Sequence, residues 1–333
     1  SRNFTDAVLV GLPFEARESG YLADAAYIFI PGSNPPAVRG PFAGHGTHVS
    51  GLIAADWEEG VQGIVGGCPD CSLLVGKSAF LNPSSLAAAI SHLVDVGAQV
   101  INISSEIPPA DCATNSDYQD LLDALAKSRA ADVAVVVAAG NSRSTALACP
   151  ANQGAMIAAG GLQTDQQSNL TFWGGEPNAL QRVIFVPPAN PANPAALSTP
   201  PGLFGSNFAA TLRLVAPAAE VLSTIAPNNA WLVFSQASGR SSWSALDEPF
   251  TYTAQGQQPV TISTGPANSV GWGTMTGTSM AAPHISAIAG LVRSVNPLKP
   301  ATAIEELIAS STNRFVQHQG FTFRIPDAGG AVN

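Results

Sequence analysis

A chain of 333 residues with 46% hydrophobic and only 11% charged residues cannot stay disordered, and it suits one large α/β unit with loop insertions better than two equal domains. A net charge of −9, from 23 acidic and 14 basic residues without a basic run, argues against nucleic acid or an anionic membrane as partner. No stretch of about 18 uninterrupted apolar residues predicts a membrane span, and the opening SRNFTDAVLVG lacks the basic region and cleavage site of a signal peptide, which reads as a soluble, already trimmed form.

In chain order, short apolar runs alternate with helical patterns. Strands are expected at 7–11, 27–30, 72–76, 99–104 and 133–140, and helices near 46–55, 84–97 and 117–130, then a long one at 279–295 and a proline-bounded one at 300–310. Buried β-runs joined by amphipathic helices predict an α/β fold with a mostly parallel central sheet and helices on both faces, its ligand edge at the strands' carboxyl ends. Residues 174–206, rich in Pro, Ala and Asn, and 226–270, polar and rich in Ser and Gln, read as surface insertions within a single domain over 1–333.

The four cysteines are Cys68, Cys71, Cys112 and Cys149. An even count favours two disulfides: the close CPDC pair is able to close on itself, which leaves Cys112 to meet Cys149. Zinc binding needs a second close pair, and none exists; a redox role for Cys68 and Cys71 is the weaker reading because they do not sit at a strand-to-helix turn. Disulfides lean toward an oxidising, extracellular or other extracytoplasmic compartment.

Three segments carry chemistry. In Gly44-His45-Gly46-Thr47-His48 the glycines let a partner approach the imidazole, which suits a general base at a helix start. A helix-capping histidine and a two-histidine metal site are the alternatives, the latter without an acidic helix partner at ligand spacing. In Gly277-Thr278-Ser279-Met280-Ala281-Ala282-Pro283-His284 a serine opens a long helix of small residues, where backbone N–H groups and the helix dipole favour a developing oxyanion; an ordinary N-cap is the alternative. In Ala138-Ala139-Gly140-Asn141 an amide ends the most hydrophobic strand, either aimed at a reaction centre or merely forming a turn.

GHGTHVSG, VVVAAGN and GTSMAAPHISA resemble, in this order, the His, Asn and Ser motifs of the subtilisin-like serine peptidases. QGIVGGCPDCSLLVGKSAF resembles that family's strand after the His helix, VINIS the strand lining the substrate cleft, CPANQGAMIAAGGL the stretch after the asparagine, and RLVAPAAEVLSTI the strand leading to the serine. The resemblance implies Ser279 as nucleophile, His45 as its base and Asn141 as side-chain oxyanion donor. It further implies a cleft wall at 102–106, with Ser104, Ser105 and Glu106 binding an extended peptide as an added strand, and a pocket floor beginning at Gly140 and running through 141–150. A Cys112–Cys149 bridge would then tie wall to floor.

The chain departs from the family at two places. The family's acid ends the first strand, but here that position falls on Gly11, and no Asp-Thr-Gly or Asp-Ser-Gly precedes His45. Glu15 is the nearest substitute, with Glu18 and Asp24 behind it; otherwise His45 is oriented by a backbone carbonyl or water, or the chain is a pseudopeptidase that binds peptides without turnover. In the cleft wall, Glu106-Ile107-Pro108-Pro109 replaces the family's small residues, which narrows the cleft and suggests narrow specificity, for instance for a basic side chain that pairs with Glu106. The family's calcium loop is not recognisable in Trp57-Glu58-Glu59-Gly60, so no metal and no cofactor are expected. A lipase is disfavoured because Gly-x-Ser-x-Gly is absent around Ser279.

Overall fold

Valine, isoleucine and alanine, with Asn102 the one polar residue, fill β3 (Val100–Ile103) and β4 (Ala134–Ala138), and every residue of both strands is buried. Such runs form central strands covered on both faces. In the computed structural model, residues 7–11, 45–55, 64–77, 83–107, 112, 118–154, 156–164, 169–174, 205–219, 221–225, 231–237, 240–246, 250–252, 260–262 and 271–332 are described. The expected strand 27–30, the acids Glu15, Glu18 and Asp24, the segment Trp57–Gly60 and most of the 174–206 insertion lie outside them.

The remaining strands are β1 (Ala7–Gly11), β2 (Leu73–Lys77), β5 (Ile157–Thr164), β6 (Leu170–Phe172), β7 (Leu214–Pro217), β8 (Val221–Ile225), β9 (Trp231–Ala237), β10 (Arg240–Leu246), β11 (Phe250–Tyr252), β12 (Val260–Ile262), β13 (Gly271–Met275), β14 (Phe315–His318) and β15 (Phe321–Arg324). The main sheet runs β14-β15-β7-β5-β4-β3-β1-β2, with β6 paired to β5. From β15 to β2 it is parallel; β6 and β14 pair antiparallel. The fold is mixed α/β with a mostly parallel sheet, as the alternation of elements predicts.

The side-chain period of two divides the core. Ile101, Ile103, Val135 and Val137 face α2 (Pro83–Asp95) and α3 (Tyr118–Ala130), meeting Leu86, Ile90, Leu93, Leu121 and Leu125. Val100, Val136 and Ala138 face α4 (Thr278–Val295) and α5 (Ala301–Ser310), meeting Ala281, Ala282, Ile285, Ala289, Ile304 and Ile308. The small residues along α4 let it lie close on the sheet. A third cluster joins Val49, Leu52 and Ile53 of α1 (His45–Ala54) to Val221, Met275 and Met280, so the helix that begins with His45 packs beside the start of α4.

Two readings of the sequence change here. RLVAPAAEVLSTI is not one strand leading to the serine but two, β7 in the main sheet and β8 in another. The strand that leads to Ser279 is β13, antiparallel to β8 with Met275 opposite Val221. Within 226–270 the polar insertion holds two antiparallel pairs, β9 with β10 and β11 with β12, which accounts for its lack of helical period.

Both disulfides are formed, Cys68–Cys71 and Cys112–Cys149. Beside the second, Ile107 and Cys149 exchange backbone hydrogen bonds of 2.8 and 3.1 Å, a one-residue antiparallel bridge that ties the segment after β3 to the segment after β4. Closing this loop stabilises by about 2–4 kcal/mol through the unfolded chain. Replacing Cys112 and Cys149 together by alanine is therefore expected to lower the unfolding free energy by that amount, read from urea titration.

Candidate active site

The carboxyl ends of β3 and β4 meet the amino end of α4. Pro283 lies within the first turns of α4 and has no N–H, so the carbonyl of Ser279, four residues earlier, receives no helical hydrogen bond. The Ser104 hydroxyl takes that place, donating to the Ser279 carbonyl at 2.8 Å. Ser104 in turn accepts from Asn102 Nδ2 at 2.8 Å, and Asn102 Oδ1 accepts from Ser286 Oγ at 2.9 Å. Asn102, Ser104 and Ser286 are fully or almost fully buried, so this network fixes the cleft-side strand against the serine's helix. The Ser279 hydroxyl itself donates to the Ser104 carbonyl at 3.2 Å.

Asn141 is held with equal definition. Its Oδ1 accepts from the Thr278 N–H at 2.8 Å and the Thr278 hydroxyl at 3.0 Å, which fixes the amide and leaves its NH₂ as the donor end. Gly140 stands at φ 106°, a conformation glycine adopts without strain, and its N–H donates to Thr278 Oγ1 at 3.2 Å. A Cβ on Gly140 would run into the Asn207 amide and lie 2.7 Å from Glu106 Oε2 and 2.8 Å from the Ala148 methyl. Asn207 braces the turn: its Oδ1 accepts from the N–H groups of Ser142 and Ser144, both at 2.9 Å.

Glu106 turns inward onto Asn141. Its Oε2 accepts from the Asn141 backbone N–H at 2.9 Å, and its carboxyl also hydrogen-bonds the Asn141 side chain. Burial pushes the Glu106 pKa up, and the two bonds to Asn141 pull it back in part.

His45 begins α1, and burial pushes its imidazole down to about 4, so it is neutral near pH 7. Between pH 6.5 and about 4 the unfolded chain binds a proton at residue 45 that the folded chain does not, so His45 removes stability as pH falls through that window. His45→Gln is expected to flatten this part of the pH dependence, measured by urea titration at pH 7 and pH 4.5. His48, three residues on, is buried, and its Nε2 hydrogen-bonds the Val221 carbonyl at 2.9 Å, a tie between α1 and β8. Among the described residues no group of three His, Cys, Asp or Glu is arranged to hold a metal ion.

Hydrogen bonds thus join Ser279, Ser104, Asn141, Gly140 and Glu106 at one sheet edge, Ser105 lies buried in the same segment, and His45 stands on the adjacent helix. Gly11 ends β1, beside β3. Sequence reasoning missed Thr278, Asn207 and Asn102. Thr278, next to the serine, was the one open to inference; Thr278→Val, which removes the hydroxyl that holds the Asn141 amide and accepts from the Gly140 N–H, is expected to lower kcat about tenfold with little change in KM.

The subtilase family's sequence profile matches residues 23–325, a span that begins beyond β1. Subtilisin DY of Bacillus licheniformis is 25% identical over 276 residues, 80% of this chain and 70% of that protein. The major intracellular serine protease of Bacillus subtilis is 26% identical over 258 residues, 76% of this chain and 56% of that protein. Among solved structures, a protease from Pseudoalteromonas arctica superposes with a TM-score of 0.53 at 22% identity, covering 86% of this chain and 70% of that one. Fold and relatives are those of a serine peptidase. The chain belongs to the subtilase family.

Proposed function

We propose that this chain is a serine endopeptidase that cleaves peptide bonds through an acyl-enzyme on Ser279. The observation that carries the proposal is the hydrogen-bonded set in which Thr278 holds Asn141 and Ser104 holds Ser279 at the amino end of one helix. Ser279 Oγ attacks the scissile carbonyl carbon while its proton passes to the neutral His45 imidazole. The Asn141 NH₂ and the Ser279 backbone N–H receive the charge that develops on the carbonyl oxygen. His45 then gives the proton to the leaving amine as the C–N bond breaks, and water, deprotonated by His45, cleaves the acyl ester. This sequence requires no cofactor.

The peptide lies extended along Ser104, Ser105 and Glu106 with Gly140 beneath it, and the unit extends over 1–333. Two disulfides favour an extracytoplasmic site of action. With glycine at position 11, turnover is slow: the imidazolium lacks the family's aspartate, and Glu15 is the first candidate to replace it. A carboxylate at the imidazole would raise its pKa, whereas burial alone holds it at about 4. The acid limb of kcat/KM is therefore expected near pH 4; a limb at pH 6 or above signals a carboxylate partner, and Glu15→Gln then moves it down.

The Glu106 carboxyl on the Asn141 amide favours one second reading, a peptide-binding pseudopeptidase. A fluorophosphonate probe separates the two. Labelling that Ser279→Ala abolishes supports the peptidase; no labelling under conditions that label an active relative supports the binding module.

A further inference from the structure

Glu106 is the partly buried acid that the reaction above does not use. Its carboxyl rests on both donors of Asn141, the residue whose amide would receive the oxyanion. Two anions cannot share that donor at ordinary cost, so a carboxylate left in place opposes the charge that must develop during attack. Among the described residues no lysine or arginine forms an ion pair with it. Around Gly140 it stands with the Ala148 methyl and the Asn207 amide. A carboxyl held by N–H groups and without a cation is a strong acceptor for an incoming one. Because it lies on the oxyanion residue, the side chain within its reach belongs to the amino acid whose carbonyl is attacked.

We propose, resting on the peptidase reading, that Glu106 is a specificity gate: its carboxylate occupies the Asn141 donors at rest and is drawn off by an arginine or lysine side chain on the acyl side of the scissile bond. A basic substrate thereby neutralises the opposing charge and frees the Asn141 amide in one step, whereas an apolar substrate leaves the gate shut. Selectivity then appears in kcat as well as in KM. The raised pKa of Glu106 agrees with a group that gains from a cationic partner.

The test compares the full chain with Glu106→Gln, which keeps an oxygen acceptor for the Asn141 N–H, and with Glu106→Ala. Paired peptide esters with arginine or leucine before the scissile bond are the substrates, and a neutral fluorophosphonate reports on Ser279 independently. Expected are an arginine preference of about 10²-fold in the parent, its loss in Glu106→Gln through slower arginine turnover and in Glu106→Ala through faster leucine turnover, and labelling by the neutral probe at least about tenfold faster in Glu106→Ala. An arginine-to-leucine ratio unchanged in both variants, with Ser279 labelled normally, overturns the gate and leaves the peptidase standing. Absence of labelling in the parent and in both variants overturns both.

Discussion

Ser279→Ala is expected to lower kcat only about 10²-fold. In a complete serine–histidine–aspartate triad, loss of the serine costs about 2 × 10⁶ and loss of the aspartate alone about 3 × 10⁴, and the effects do not add because the three act as a unit. On the proposed reading, in which no aspartate partners His45, the chain starts from the weakened level, so the ratio of those losses, roughly 70, remains to be lost. The measurement is single-turnover hydrolysis of an activated arginine ester by the parent and the variant. A fall near 10⁶ would mean that a carboxylate outside the described residues completes the site, and Glu15→Gln should then reproduce most of that fall.

Asn141→Ala carries the other large effect, about 10²–10³-fold in kcat for an arginine substrate with little change in KM. The amide acts on charge that exists only during attack, so its loss spares ground-state binding. Its placement depends on Thr278, and for that reason Thr278→Val should reproduce part of the loss with the same split between kcat and KM. A rise in KM with kcat preserved would instead mark Asn141 as a binding residue.

What the sequence revealed and what it hid follow from how local the signals are. His45, Asn141 and Ser279 were legible because glycines and small residues flank each one, and such flanks are needed wherever a backbone bends sharply beside a reacting group. The central strands were legible because burial on both faces leaves an apolar run in 100–103, broken by Asn102 alone, and an unbroken one in 134–138. The contact of Glu106 with Asn141 spans 35 residues and leaves no local mark; the sequence marked Glu106 as a cleft-wall charge but not as a partner of Asn141. The pairing of β8 with β13 was hidden for the same reason: Val221 to Ile225 continues an apolar stretch from β7 and reads as one strand until its partner is known. Pro283 left no sign of its part in the sequence: its missing N–H is what leaves the Ser279 carbonyl for Ser104.

The peptidase reaction passes through an acyl-enzyme on Ser279, and that intermediate is open to trapping. The chain is mixed with an arginine ester, quenched in acid within the first turnover, digested and mapped by mass spectrometry. One acyl adduct per chain is expected on the peptide containing Ser279, absent in Ser279→Ala and strongly reduced in His45→Gln. Hydrolysis of the ester with no adduct on that peptide, or with an adduct on another residue, would contradict an acyl-enzyme on Ser279.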